Sequence, residues 1–400
     1  MDTACVNRLL VARALRAFGD GFVSLLLPLY LLELGYDSVT VGIIASATLL
    51  GSGAMTLAVG LTAHRCHYRT LLLAAAALMV ATGIGFATLT QFWPLVLIAI
   101  IGTLNPSSGD VSVFLPMEHA VLARVVDDRH RTGVFARYAL VGTLVAALGS
   151  LAAGAPALLA SLTGWSTRAC LAAMFVAYAA LGVAAAAAYR GLPAAPTTGA
   201  QPTAPLTTSR RAVLTLAALF SLDAFGGGFI VQSLVALWLY QRFGLSLATA
   251  GTIFFATGIL SALSYLVAVR VANRIGLVNT MVFTHLPANL CLVAIPFMPS
   301  LGVVVALLCV RSLLSQMDVP TRSSYVMAIV TPEERPAAAS ITAVPRSLAS
   351  AASPFLAGYL LAGSAFGWPL VLAGGIKITY DLLLLARFRH VRPPEERAPA

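Results

Sequence analysis

The sequence predicts an all-α membrane protein of twelve transmembrane helices, arranged as two pseudo-symmetric six-helix bundles. Three observations predict it. The 400 residues are 59% hydrophobic and only 10% charged, where a soluble domain carries about 25% charged residues. The apolar residues fall into twelve runs, each near or above the roughly 20 residues that cross a bilayer. The second half of the chain also repeats the first.

Taken in order, the runs lie near 9–34, 41–63, 70–90, 93–123, 133–160, 168–190, 212–240, 249–271, 278–298, 301–329, 337–362 and 368–388. Short turns such as Gly35–Ser38, Thr90–Pro94, Thr163–Ser166 and Pro296–Ser300 separate many of them. Tight connections between long apolar helices imply antiparallel packing in a bundle. The first run is too long to read as a cleavable signal peptide. The longest polar interruption, GLPAAPTTGAQPTAPLTTS over 191–209, is uncharged and reads as a flexible or extended linker. It divides the chain into an N-terminal bundle (1–190), a linker (191–210) and a C-terminal bundle with a short tail (211–400).

The net charge of +10 comes almost entirely from arginine, Lys377 being the one lysine. In a chain this apolar, basic residues at span ends set topology, and nucleic acid is not an expected partner. Alternate loops carry Arg65 and Arg69, then Arg124, Arg129 and Arg131, then Arg190, Arg210 and Arg211, then Arg270 and Arg274, then Arg335. Both termini and the central linker are therefore expected in the cytoplasm, with the cell (inner) membrane as the location. The five cysteines show no metal-ligand or CxxC spacing. Neither a P-loop nor a nucleophilic triad stands out, so the chain reads as neither an enzyme nor an ATP-driven pump, and no cofactor is expected.

The repeat is visible residue by residue. FGDGF at 18–22 matches FGGGF at 225–229. Gly42, Ala63 and Arg65 align with Gly251, Ala272 and Arg274 at one offset. Pro116, Arg131 and Gly154 align with Pro320, Arg335 and Gly358 at another. Six spans in each half, with the same orientation, make a parallel repeat about an axis along the membrane normal.

With these features the chain resembles the major facilitator superfamily of secondary transporters over nearly its whole length. The loop after the second span resembles the family's GxLaDRxGRR: Gly60, Arg65 and Arg69 fit, and His64 stands in the acidic position. The second copy keeps Arg274 and Gly276, with Asn273 before them. The arginine of span 4 is absent, and its counterpart in span 10 is Arg311. The glycine series of span 5 appears as Gly142, Gly149 and Gly154 without the proline, and it tips the expected direction marginally towards export. The resemblance implies that spans 1, 4, 7 and 10 line the transport pathway.

The buried charges fall in the same spans. Span 1 has Arg13, Arg16 and Asp20, span 4 has Asp110 and Glu118, span 7 has Asp223, and span 10 has Arg311, Asp318 and Arg322. Charges at membrane depth are costly and mark functional sites by default. At 1.5 Å per residue, Asp20 and Asp223 lie roughly 18 Å along their helices from Arg8 and Arg211, near mid-membrane. Asp20, Asp223 and Glu118 are the expected proton-coupling residues. Arg311, Asp318 and Arg322, with Ser315, form one helical stripe, and together with Asp110 and Asn105 they are the expected substrate contacts. Asn105-Pro106 is expected to interrupt span 4.

Pairing follows from spacing. Arg16 and Asp20 stand at i, i+4, as do Lys377 and Asp381. Asp318 and Arg322 share that spacing and can neutralise each other. Glu118 and Arg137 lie equally far from one loop and are expected to face each other. In the repeat Glu118 aligns with Arg322, which suggests an acid meeting a base between the two halves as a gate. Arg65 and Arg274 are further gate candidates, and Arg346 is left undecided. His285 reads as a packing histidine. The aromatic residues Phe22, Tyr30, Phe114, Tyr138, Phe225, Phe229, Trp238 and Tyr325 fit a cavity lining or plain packing.

The expected function is alternating-access transport of a small organic solute, proton-coupled, by a monomer in the lipid bilayer. Each conformation can set a different affinity of a buried carboxyl for its proton. The competing readings are a proton-coupled importer of an organic anion, a lipid flippase, and a non-transporting sensor on the same scaffold.

Overall fold

The computed structural model describes residues 2–62, 67–107, 112–126, 128–193, 209–331 and 334–391. These residues are almost entirely helical, with no strand among them. The first three spans are α1 (Thr3–Glu33), α2 (Ser38–Thr62) and α3 (Tyr68–Thr88). The fourth is α4 (Phe92–Ile101) and α5 (Phe114–Val125), the fifth α6 (Asp128–Ala152) and α7 (Ala155–Thr163), and the sixth α8 (Thr167–Arg190). In the second half, span 7 is α9 (Arg210–Gly228) and α10 (Gln232–Phe243), followed by α11 (Leu247–Ile275) and α12 (Leu277–Ala294). Span 10 is α13 (Leu301–Ser315) and α14 (Asp318–Ile329), and α15 (Arg335–Gly363) and α16 (Trp368–Phe388) complete the chain.

Among the described residues, ten helical stretches are long and apolar enough to cross a membrane. The fourth span is not among them: its apolar helix α4 has only 10 residues. Nor is α15, which carries Pro345, Pro354, several serines and Arg346.

The breaks have local causes. Pro320 has no N–H for the carbonyl four residues earlier and its ring crowds it, so span 10 interrupts at 316–317. Pro156 does the same for span 5, starting α7 within its first turn. The run Gly226–Gly228 weakens span 7, and Val231 turns extended before α10. Span 4 stops at Gly102, and Asn105 Oδ1 accepts hydrogen bonds from Ser107 N (3.0 Å) and Ser107 Oγ (2.7 Å) in an Asx turn. By contrast α1 runs unbroken through FGDGF and Pro28.

Contacts cluster the chain into two compact units: Met1–Ala200 with Val231–Phe255, and Gln201–Ile230 with Ala256–Ala400. In the first unit α1 is the central helix, packed on α6, α8 and α10. A Cβ on Gly21 would overlap the Ala146 carbonyl, and one on Gly149 the Phe18 carbonyl, so α1 and α6 touch backbone to backbone. The glycine series of span 5 thus serves helix packing. Asp2 N donates to the Val125 carbonyl (3.1 Å) and Arg8 donates to the Gly191 carbonyl, so the N-terminus and the ends of α5 and α8 gather at one end of this unit.

In the second unit α9 packs on α15 and α16, and α12 on α13, α14 and α16. Its apolar core joins Val213, Leu216, Phe220, Met281, Tyr325, Tyr380, Leu384 and Phe388. Tyr325 also donates to the Val391 carbonyl (3.1 Å), and Ser209 N to Glu334 Oε2 (3.2 Å).

Outward-facing Leu97, Val176, Val183, Leu266, Phe283, Leu290 and Leu382 are each more than half exposed. So many bare apolar side chains suit a hydrocarbon solvent and not water. Trp93, Trp165 and Trp368 are exposed at span ends, as an interfacial belt requires. Most of the other aromatics are packing residues: Phe22, Tyr30, Phe114, Tyr138, Trp238 and Tyr325 are all buried.

Candidate functional site

The charged side chains gather into two buried networks, one inside each unit. In the first, Glu118 of α5 is 0% exposed and accepts from three donors. Arg16 of α1 and the Tyr138 hydroxyl of α6 both meet Oε2, and the Tyr189 hydroxyl of α8 donates to Oε1 at 2.6 Å. The Arg16 guanidinium lies over the Phe114 ring, 4.0 Å from its centroid, and Phe114 stacks on Tyr189. Four helices thus close on one carboxylate, whose charge is compensated and whose two oxygens are both occupied.

Asp20 stands one turn further along α1 and is also buried. Arg13 and Arg16 lie within electrostatic reach of it, and Tyr178 of α8 lies beside it. The Tyr178 hydroxyl donates to the Thr103 carbonyl of the broken span at 3.2 Å. Asp20 makes no ion pair among the described residues. Among the described residues it is the buried carboxylate of this unit without a bound cation.

In the second unit, Asp223 of α9 is held by Lys377 Nζ of α16 at 2.6 Å and by Arg322 Nη2 of α14 at 2.9 Å. Arg322 also bonds Asp318 on its own helix, and its guanidinium faces the Phe220 ring. Beyond Asp223 lies a second acid, Asp381 of α16, which is 0% exposed. It accepts from Asn289 Nδ2 (2.8 Å), and His285 Nδ1 of α12 lies 2.9 Å from it. The other ring nitrogen of His285 stands 3.9 Å from Asp223 Oδ1.

Several expected pairs are corrected. Arg16 binds Glu118 and not Asp20, because the facing helix supplies an acid with two further donors. Glu118 does not face Arg137, which is exposed. Lys377 binds Asp223 and leaves Asp381 to His285 and Asn289. The stripe of span 10 is split by the break at 316–317: Asp318 and Arg322 are paired, while Arg311 Nε and Ser315 Oγ are buried and have no hydrogen-bond partner among the described residues. Glu118 and Arg322 are each taken up inside their own unit. Their repeat partners explain this: Arg16 aligns with Asp223 and Glu118 with Arg322, so the same inter-helix pair occurs twice with its charges exchanged.

Arg346 of α15 is exposed and within electrostatic reach of Arg322, Asp223 and Asp318. Arg311 is partly buried and within reach of Asp223. Neither guanidinium has a hydrogen-bond or ion-pair partner among the described residues. Asn105 is buried in the span 4 break and shapes its turn. Arg274 is exposed in the last turn of α11, on the rim of a hollow of about 650 Å³ that Asn273, Asn279, Thr321 and Arg389 also line. Asp110 and Arg65 lie outside the described residues.

The residues that sequence reasoning underrated are Tyr178, Tyr189, His285 and Asn289. A signal existed for the last two. They stand at i, i+4 in an apolar span, where polar side chains need an interior partner.

Three comparisons bear on this arrangement. The family model of the Major Facilitator Superfamily matches residues 9–315. An uncharacterized membrane protein of Saccharomyces cerevisiae, YJR124C, is 24% identical over 411 residues, covering 94% of this chain and 92% of that protein. Among solved structures, the nucleoside transporter NupG superposes with a TM-score of 0.74 at 15% identity, over 96% of this chain and 99% of that one. A bacterial homologue of the human lysosomal transporter Spinster gives 0.71 at 12% identity, with 96% of each chain covered. The human organic anion transporter MFSD10 gives 0.65 at 18% identity, over 95% of this chain and 99% of that one. This multi-pass, all-helical chain with its paired ion networks belongs to the Major Facilitator Superfamily and is a membrane transporter.

Proposed function

We propose that the chain is a secondary transporter that moves a small organic anion by alternating access, coupled to protons. The observation that carries the anion is the charge inventory of the second unit. Arg322 and Lys377 pair with Asp223 and Asp318, while Arg311 and Arg346, each within electrostatic reach of Asp223, have no bonded acid among the described residues. Unpaired guanidinium groups at membrane depth are costly, and a carboxylate or phosphate on the solute satisfies them in the bidentate geometry arginine favours. Ser315 adds a hydroxyl with no hydrogen-bond partner among the described residues. Asp318 and Arg322 hold the neighbouring charge balance, and Asn105 and Asp110 belong to the interrupted span of the first unit. The name of MFSD10 as an organic anion transporter agrees with this substrate class.

Proton coupling rests on Asp20 in the first unit, a buried acid without a bound cation, and on Asp223 in the second, whose partners can be exchanged. Glu118, with its three donors, serves as a fixed structural centre in this scheme. The 6+6 division at the 191–210 linker, cytoplasmic termini, a monomeric state and an outward direction complete the proposal. The gathering of Asp2, Val125 and Gly191 at one end of their unit supports the shared side of the arginine-bearing loops.

The test uses purified protein in proteoliposomes with an internal pH dye, against a panel of organic anions, neutral solutes and labelled lipid, with gradients imposed in each direction. Saturable anion flux that moves protons, and loses them in Asp20→Asn, supports the reading. Flux of lipid alone indicates a flippase, binding without flux a sensor, and anion flux unchanged in Asp20→Asn refutes the role of Asp20.

A further inference from the structure

The second unit carries more positive than negative charge at membrane depth. About two turns or more from either end of a span, its helices hold the cations Arg311, Arg322, Arg346 and Lys377. Over the same depth they hold the acids Asp223, Asp318 and Asp381. Four cations therefore meet three acids.

All three acids are engaged. Asp223 is held by Lys377 and Arg322, and Asp318 by Arg322. Asp381 accepts from Asn289, and His285 Nδ1 lies 2.9 Å from its other oxygen. Among the described residues, no carboxylate oxygen stands with the buried atoms that lack a hydrogen bond. Around this cluster the atoms that do lack one are Arg311 Nε, Arg322 Nε and Nη1, and the hydroxyls of Ser315 and Tyr380. Every one of them can donate. The cluster is thus one negative charge and several acceptors short.

The uncompensated charge is within reach of a solute. Arg346 follows the start of α15 by about 16 Å of helix, and it is exposed at that depth. Arg311 is partly buried on α13. Both act on Asp223 from beyond hydrogen-bond distance, so they belong to the same electrostatic cluster as the bonded pairs.

We infer that the solute is a monovalent organic acid, with one carboxylate, no second acidic group and no ammonium. The inference rests on the anion reading above and narrows it. One negative charge cancels an excess of one cation. A phosphate monoester or a dicarboxylate brings close to two charges and leaves the cluster negative. An ammonium group needs an acceptor of its own, and the acids here are already bonded, so its desolvation goes uncompensated. A neutral solute leaves the extra guanidinium as it was.

The experiment is titration calorimetry of the full chain in lipid nanodiscs at about pH 8, above the carboxyl range and below that of alkyl amines. Two sets of related probes are compared. One is butyrate, succinate, butyramide and γ-aminobutyrate, and the other is benzoate, phthalate, benzamide and para-aminomethylbenzoate. In at least one set the monoanion is expected to bind about tenfold or more tighter than the other three, the lower end of what a charge-assisted hydrogen bond supplies. Arg346→Gln, at an exposed position, removes the excess cation. The preference for the acid over its amide is expected to shrink about tenfold or more in that variant. A dianion or a zwitterion that binds as tightly as the monoanion overturns the inference and leaves the anion reading standing. So does a preference for acid over amide that Arg346→Gln leaves intact. An amide that binds as tightly as its acid, or no binding in either set, removes the anion reading and the inference with it.

Discussion

Glu118→Gln tests the pairing on which the first network is built. The substitution keeps the size of the side chain and removes its charge, leaving the Arg16 cation only 2% exposed with no bonded acid. Breaking a buried pair by neutralising one partner costs about 3–5 kcal/mol. At about 1.4 kcal/mol per decade, the folded-to-unfolded ratio falls by roughly two to four orders of magnitude. Arg16→Met also removes the cation, so the double variant is expected to cost less than the sum of the single ones, with a coupling of about 2–3 kcal/mol. Arg137→Gln, at an exposed position, is expected to change stability by less than about 0.5 kcal/mol. It should add independently to Glu118→Gln. The assay is reversible unfolding in mixed micelles by denaturing detergent, followed by circular dichroism. The reasoning fails if Glu118→Gln unfolds like the parent, or if its coupling partner proves to be Arg137.

Other consequences can be checked separately. Replacing Arg311 or Arg346 by glutamine removes a charge-assisted hydrogen bond of about 1.5–3 kcal/mol. Each should raise KM for a transported anion by roughly 10- to 150-fold and leave neutral solutes unaffected, which flux measurements over a concentration range will read. Gly149→Val pushes a Cβ onto the Phe18 carbonyl and should abolish monodisperse folded protein, while Gly133→Ala, with nothing near it, should be tolerated in the same size-exclusion assay. In the loop before α2, the backbone N–H of Thr40 and then its hydroxyl hold the Asp37 carboxyl below its usual value of 3.8. The contacts measure 2.9 and 2.8 Å. Because the folded value is the lower one, this cap stabilises above the unfolded pKa and is lost as pH falls through the folded one. Thr40→Ala should move the Asp37 titration up towards the unperturbed value, as carboxyl NMR from pH 5 downward will show.

Much of this was legible in the chain itself. The twelve spans, the repeat and the concentration of charge in spans 1, 4, 7 and 10 follow from local hydropathy and from the cost of a buried charge, and both are properties of short stretches. The interruption of span 4 at Asn105-Pro106 was equally local. The break in span 10 was also written there, since Pro320 follows a helical run, but an uninterrupted polar stripe was the simpler reading of i, i+4, i+7 spacing.

What only the tertiary structure decided is who pairs with whom. Spacing of four residues brings Arg16 near Asp20 and Lys377 near Asp381, yet each cation turns to an acid on another helix. The choice depends on how each helix is rotated about its axis, which a few charges in an apolar span do not specify. The packed interface specifies it: Gly21 and Gly149 let α1 and α6 close together, and the donors Tyr138 and Tyr189 make Glu118 the better satisfied partner for Arg16. The same logic left Asp381 to His285 and Asn289. The sequence determined that charge would be buried in these spans; the packing of neighbouring helices determined which cation meets which acid.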